Sequence, residues 1–305
     1  MSRLLLCLVL AASFVAVFAD DTSDGGNTDA DQIPGGFVPK KVPAVIGLAL
    51  FGISATIQWI QHFTITPRRP FMLTLTIGMT AMTIGFVLRL LFSSPPFTVG
   101  KYIQMTMFIL LSPCTFLAID YMLLARLAAT FDTEVSDRCL LIRSSRIAKV
   151  FMWSDVSTFL LQSSGGGLQA SKGSLVNLGN KLVMIGLVLQ AVSFLLFAYV
   201  LIVFGWRVRK HFPEAWISKV PRSWRPLFYV MCVTCVGILV RSVFRIAEFS
   251  QGYSGYISVH EGYFYAFDAL PLWTSMTLYC FVWPARILNI HPGHMELQSA
   301  RKPLV

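Results

Sequence analysis

RSVFRIAEFSQGYSGYISVHEGYFYAFD, residues 241–268, joins the end of one strongly apolar segment to the start of the next. The stretch contains two arginines and three acids: Arg241, Arg245, Glu248, Glu261 and Asp268. Its first three charges are four and then three residues apart, so a continuing helix places them on one face. An ionised group in hydrocarbon is costly unless it is paired or reaches water. The stretch therefore predicts a paired, inward-facing polar cluster. The alternative is a snorkelling helix end followed by an ordinary polar loop.

The composition is that of an integral membrane protein. Of 305 residues, 55% are hydrophobic and only 13% are charged, and the mean hydropathy is +0.65. Soluble domains carry roughly 25% charged residues. The net charge of +10 does not indicate nucleic-acid binding, because the basic residues lie in short loops between apolar segments. That pattern is typical of membrane topology.

No motif for a cofactor, a metal or a catalytic nucleophile is evident. GGGLQASKGS (165–174) lacks the spacing of a P-loop. The five histidines fall at helix ends or in loops, without zinc-ligand spacing. Cys232 and Cys235 form a CxxC pair on a predicted membrane helix, with no second pair or histidine nearby. We therefore expect no cofactor, no disulfide framework and no enzymatic activity.

The chain divides into four parts. Residues 1–19 have a basic Arg3, an apolar core and small residues at the end, as in a secretory signal peptide. An uncleaved signal anchor is the alternative. Residues 20–42 form an acidic tail that we expect to be disordered and extracytoplasmic. Residues 43–290 form the membrane domain, and residues 291–305 a short cytoplasmic tail.

An all-α polytopic fold with seven transmembrane helices is predicted for the membrane domain. Seven apolar segments are each close to the twenty residues that span hydrocarbon: 43–62, 71–92, 102–124, 148–165, 181–204, 226–247 and 263–285. The fourth is the weakest, because it is polar in part. The three glycines at 165–167 indicate that this helix ends early or breaks there.

Basic residues give the orientation of the predicted spans. Arginine and lysine are concentrated after the first, third, fifth and seventh spans, whereas the opposite loops carry only five lysines. The positive-inside rule then places the N-terminus outside and the C-terminus in the cytoplasm.

Polar side chains in or beside the spans are candidates for substrate binding or translocation. The candidates are Arg89, Asp120, Asp155, Gln162, Gln190, Arg241, Arg245, Glu248, Glu261 and Asp268. We expect Arg245 to pair with Glu248 or Asp268, and Arg241 or Arg89 to pair with Glu261. Asp120 and Asp155 lie toward the cytoplasmic side, with Arg126 expected nearby. The alternative is that the pairs only hold helices two, six and seven together.

Several of these stretches together resemble the fungal RTA-like family, also called the lipid-translocating exporter family. The resemblance covers about 43–293. It is carried by IGFVLR (84–89), LLSPCTFLAIDYMLLAR (110–126), DVSTFLLQSSGGG (155–167), GLVLQAVSF (186–194), the 241–268 stretch and HPG (291–293). Two positions depart from the family pattern. Met82 and Thr83 stand where an acid is expected, and Asp120 stands where an uncharged residue is expected.

The resemblance implies a seven-helix plasma-membrane protein that exports or flips amphipathic lipids, with sphingoid long-chain bases as the cargo class and a role in toxicant resistance. The amine of such a base has candidate acceptors in Asp120 or Asp155 on the inner side, and in Glu248, Glu261 or Asp268 near the outer face. The alternative function is a seven-helix lipid or stress sensor that alters efflux through a cytoplasmic signalling partner. The sequence leaves the oligomeric state open.

Overall fold

The computed structural model describes residues 39–66, 69–95, 99–131, 139–140, 144–169, 175–213, 216, 224–251 and 256–288. Within these ranges the regular structure is entirely helical. The predicted signal peptide, nearly all of the acidic tail and the C-terminal tail lie outside the described residues.

Six long helices are followed by a broken seventh segment. The long helices are α1 (Lys41–Thr64), α2 (Met72–Phe92), α3 (Val99–Ala129), α4 (Ser144–Gln169), α5 (Leu175–His211) and α6 (Arg225–Gln251). The last segment contains α7 (Tyr256–Val259), α8 (Glu261–Phe264), a π-helical turn (Tyr265–Ala269), α9 (Leu270–Phe281) and α10 (Pro284–Ile287). Because α8, the π-turn and α9 follow one another without a gap, residues 261–281 form one continuous helical segment.

The chain is an all-α polytopic membrane protein. Helices α1, α2, α3, α5 and α6 are each long and apolar enough to cross a membrane. Helix α4 does not meet that criterion, in line with its polar sequence, and the 261–281 segment is divided by the π-turn. The count of seven spans and the positions of the termini stay predictions.

The predicted seventh helix, 263–285, is too long at its end. The helix stops at Phe281, and Trp283 adopts an extended conformation with φ −71° and ψ 112°. Pro284 explains the break, because a proline disfavours helical backbone at the residue before it.

The glycines of α4 do not end the helix, which continues to Gln169. Gly165 serves close packing instead. A Cβ atom on Gly165 would lie 2.8 Å from the carbonyl oxygen of Gly179 and 2.9 Å from the backbone nitrogen of Val183. Small residues allow membrane helices to approach in this way. The expectation of a broken fourth helix was therefore wrong.

The long helices form a closed ring in chain order. Each helix from α1 to α6 packs against the next, α6 packs against α9, and α9 packs against α1. Helix α3 also touches α5 and is the most enclosed, with 89% of its apolar window buried, against 33% for α1 and 39% for α5. The exposed side of α5 is apolar, as expected of a surface in contact with lipid: Leu189, Val192, Leu196, Tyr199 and Ile202.

Two glycines of α4 allow a matched test of this packing. Gly165→Ala should lower the melting temperature of the purified protein in detergent, because overpacking against backbone atoms costs about 1–3 kcal/mol. For Gly167→Ala, no atom of the described residues outside the neighbouring turns of α4 lies within 4 Å of the new Cβ. This substitution should leave the melting temperature unchanged or raise it, because alanine is favoured over glycine in a helix by about 1 kcal/mol. Equal effects at the two positions would contradict the close approach of α4 and α5.

Candidate functional site

Two arginines of α6 share one carboxylate. Arg241 donates from Nη1 to Oδ1 of Asp268, and Arg245 donates from Nη2 to Oδ2. Arg245 also donates from Nη1 to Glu248 at 3.0 Å. The predicted pairing of Arg245 with Glu248 or Asp268 is confirmed for both acids. Arg241, Arg245 and Glu248 lie on one face of α6, as their spacing predicted.

A second pair lies beside this cluster. Arg89 of α2 donates from Nη2 to Oε1 of Glu261 at 2.8 Å. The other oxygen of Glu261 accepts the backbone N–H of Lys40, just before α1, at 3.0 Å. Of the two arginines proposed for Glu261, the structure therefore selects Arg89. These ion pairs form the outer network: Arg89, Arg241, Arg245, Glu248, Glu261 and Asp268.

The π-turn positions Asp268. A π-turn inserts an extra residue into the helix and so changes the direction of the side chains in it. Pro271, which follows three residues later, has no N–H to donate to the carbonyl of Phe267 in a regular α-helix. The turn brings Asp268 to full burial between Arg241 and Arg245.

The outer network is balanced in charge. Three arginines face three carboxylates, and five of the six carboxylate oxygens accept a bond from an arginine or from the Lys40 N–H. A positively charged ligand at Glu261 or Asp268 would have to share an oxygen that already accepts a hydrogen bond. Glu248 is the exception, because it uses one oxygen and its side chain is 18% exposed.

Two glutamines meet where α4, α5 and α3 pack together. Gln162 donates from Nε2 to Oε1 of Gln190 at 2.9 Å, and Gln190 donates weakly to Sγ of Cys114 at 3.6 Å. The two glutamines lie in different predicted spans, so their direct contact could not be read from spacing.

A cleft connects the glutamines to the outer network. Its volume is about 30 Å³, enough for about two water molecules. Its polar lining is Gln162, Gln190, Arg241, Ser242 and Arg245, and its apolar lining is Leu110, Pro113, Leu117, Leu187 and Ile238. The Nε of Arg245 is buried without a hydrogen-bond partner. The cleft is therefore a small space among four helices, with polar side chains on part of its wall.

The two remaining acids differ from the outer network, because the described part of the chain gives neither an ion pair. Asp120 is bonded to the hydroxyls of Tyr279 at 2.6 Å and Thr234 at 3.0 Å. Asp155 accepts the hydroxyl of Tyr121 at 2.8 Å, and its other oxygen is buried without a partner.

Sequence reasoning missed the three hydroxyl partners, and it expected Arg126 near these acids. The Arg126 guanidinium instead lies over the ring of Phe71, 4.3 Å from the centroid. Within the described ranges, no group of three His, Cys, Asp or Glu side chains is placed to hold a metal ion.

Comparison with known proteins identifies the family. The sequence model described as RTA1 like protein matches residues 75–291. The chain belongs to the RTA1-like family. The resemblance noted in the sequence is confirmed, and the match includes every candidate residue of this RTA1-like protein.

Three relatives illustrate the range of the RTA1-like family. Protein RTA1 of Saccharomyces cerevisiae is 32% identical over 221 residues, covering 72% of this chain and 68% of the relative. "Probable lipid transporter atnI" of Emericella nidulans is 26% identical over 257 residues, covering 80% and 65%. "Sphingoid long-chain base transporter RSB1" of S. cerevisiae is 23% identical over 313 residues, covering 89% and 80%. These relatives support a membrane role related to lipid transport. No solved structure matches the chain.

Breaking the shared carboxylate should destabilise the fold. Asp268→Asn leaves Arg241 and Arg245 with one acid between them, and loss of one member of a buried ion pair costs about 3–5 kcal/mol. Glu248→Gln, at the partly exposed edge, should cost about 1 kcal/mol or less. The measurement is unfolding of the purified protein in mixed micelles titrated with sodium dodecyl sulfate.

A double variant distinguishes the cost of an unpaired charge from the cost of losing the hydrogen-bond geometry. Adding Arg241→Gln to Asp268→Asn restores the charge balance and should recover part of the lost stability. No recovery would show that the bond geometry, and not the unpaired charge, accounts for the loss.

Proposed function

We propose that this RTA1-like protein moves amphipathic lipids with a cationic head group, of the sphingoid long-chain base class, between the two sides of the membrane. We propose further that it acts at the plasma membrane, with seven spans, an extracytoplasmic N-terminus and a cytoplasmic C-terminus. The names of the relatives support the lipid class. The arrangement of polar side chains supports the mechanism.

The observation that carries the proposal is a polar track through the bundle. Asp155, Thr158 and Gln162 are buried and lie three and four residues apart on one face of α4. Asp155 and Gln162 are separated by about 10 Å along the helix axis. Gln162 contacts Gln190, and both line the cleft that ends at Arg241 and Arg245. We call this path, from Asp155 through the cleft to Glu248, the polar track.

The side of the track at α5 lies close to lipid. Gln190 is half-buried, and its neighbour Leu189 is 51% exposed. Across the cleft, α6 presents Val236 and Val243 on its own exposed face. An amphiphile whose head group moves along the track can therefore keep its hydrocarbon tail in the bilayer between α5 and α6.

Asp155 has the chemistry to receive a cationic head group. Its unpartnered oxygen is buried and accepts no hydrogen bond, and a buried polar atom without a partner is costly. A primary ammonium group offers three donors, so it can satisfy this oxygen and neutralise the carboxylate together. At the other end, Glu248 has an unused oxygen and partial exposure.

The test is movement of a fluorescent long-chain base in liposomes that contain only this purified protein. Asp155→Asn should slow the movement at least about tenfold, because a charge-assisted hydrogen bond contributes about 1.5–3 kcal/mol. Ser157→Ala is the matched control, because Ser157 lies on the exposed side of the same helix and bonds only the carbonyl of Trp153. Glu248→Gln should reduce the movement as well.

Two outcomes would count against transport. Equal rates in Asp155→Asn and Ser157→Ala would remove Asp155 from the path. No movement above that of empty liposomes would favour the sensor alternative, in which the protein acts through a cytoplasmic partner.

A further inference from the structure

Asp120 lies off the polar track. It is fully buried on α3, where it faces Thr234 of α6 and Tyr279 of α9. The next residue, Tyr121, points elsewhere and bonds Asp155 on α4. Helix α3 therefore contacts the polar track through Tyr121, and the adjacent residue, Asp120, forms a separate acidic site.

Three close contacts around Asp120 share the two hydrogens of the Thr234 and Tyr279 hydroxyls. The Thr234 hydroxyl lies 2.8 Å from the carbonyl oxygen of Met231 and 3.0 Å from Oδ2 of Asp120. A threonine hydroxyl has one hydrogen and two lone pairs, so it can donate to only one of these acceptors. If it donates to the nearer Met231 carbonyl, the contact with Asp120 is a hydrogen bond only when the carboxyl group itself donates.

Among the described residues, no positively charged side chain pairs with Asp120. From α6 the thiols of Cys232 and Cys235 interact with it electrostatically, beside Thr234. From α9 it meets the phenol of Tyr279, and on its own helix the nearest titratable group is Tyr121. All of these groups are neutral or become negative on losing a proton. An ionised Asp120 would therefore be an uncompensated charge within the bundle.

We infer that Asp120 is a proton-binding site, and that its proton couples lipid movement to a pH gradient across the membrane. In the closed arrangement of the helices, the Asp120 carboxyl group holds the proton. When the proton leaves to water, the carboxylate is stable only if α3, α6 and α9 separate enough to admit water. A proton from water on the other side of the membrane then binds Asp120, and the helices close again.

The two sites are coupled through α3. A displacement of α3 that opens the surroundings of Asp120 also moves Tyr121, and with it the hydrogen bond to Asp155. Proton binding thus selects between two arrangements of the track. This step rests on the proposed function, because it concerns the energy source for the same lipid movement.

Infrared spectroscopy of the full-length protein in lipid tests the proton directly. The difference between wild type and Asp120→Asn should contain the carbonyl stretching band of a protonated carboxylic acid. Tyr279→Phe removes a hydrogen bond and should shift that band while retaining it. A difference spectrum with carboxylate bands in place of the carboxylic acid band would overturn the inference, whether or not the protein transports lipid.

Coupling is tested in proteoliposomes with a labelled long-chain alkylguanidinium amphiphile, whose head group has N–H donors for Asp155. The charge of this amphiphile does not titrate, so a pH gradient acts on it only through the protein. Each coupled proton should change the final ratio of lipid between the two leaflets by about tenfold per pH unit. A pH-sensitive dye inside the vesicles should record proton flux that begins when the amphiphile is added.

Asp120→Asn should abolish both the proton flux and the effect of the gradient. Thr234→Ser, which keeps the hydroxyl, should retain both. Lipid movement in wild type without proton flux, and insensitive to the gradient, would overturn the inference while leaving the proposed function intact. Absence of any lipid movement would instead overturn the proposed function, and with it the coupling.

Discussion

The bonds between Asp268 and two arginines are the constraint on which the end of the bundle with the outer network depends. A guanidinium in a water-poor interior is stable only with a carboxylate in contact, and here one carboxylate serves two. That requirement fixes which face of α6 lies against the 261–281 segment, and the depth at which this segment begins. It also requires the π-turn that directs Asp268 inward. The Arg89–Glu261 pair extends the same constraint to α2. The Lys40 N–H extends it to the start of α1.

The acidic candidate residues fall into two groups, those paired with an arginine and those bonded only to hydroxyl groups among the described residues. In the outer network, Asp268 and Glu261 have committed partners and hold helices together, whereas Glu248 pairs with Arg245 of its own helix and keeps one oxygen unused. Asp120 and Asp155 have only hydroxyl partners among the described residues, so the binding of a cation or a proton changes their local free energy strongly. One end of the bundle is therefore stabilised by ion pairs, and its interior contains acids whose local free energy depends on binding of a cation or a proton. The glutamine pair lies at the boundary between the two.

Much of this arrangement was predictable from residue spacing, and the rest depended on packing. Positions 241, 245 and 248 share a helix face by simple periodicity, and the apolar segments matched the observed helices to within a few residues at most ends. The choice of Arg89 over Arg241 for Glu261 depends on which helices are neighbours in the ring. The position of Asp268 depends on a π-turn, for which Pro271 was the one local signal. The three glycines of α4 resembled a helix end, because a sequence does not show that another backbone lies against Gly165. Asp120 and Asp155 were recognised as unusual, but their hydroxyl partners come from spans far away in the chain.

The length of α5 allows the depth of the candidate residues in a bilayer to be estimated. This helix has 37 residues, about 55 Å, which exceeds the roughly 30 Å of hydrocarbon in a bilayer. Near its C-terminal end, Trp206 is 58% exposed with the Lys210 ammonium 4.9 Å from its ring centroid, the pairing typical of the interface between hydrocarbon and head groups. Along the axis of α5, Gln190 lies about 24 Å from Trp206. Gln162 of α4 is level with Gln190, and Asp155 lies about 10 Å from Gln162 along α4, which places Asp155 about 14 Å from the level of Trp206. Asp155 is thus close to the bilayer midplane and the glutamine pair close to the far boundary. A charge that moves between them crosses about a third of the hydrocarbon, and therefore about a third of the electrical potential across it.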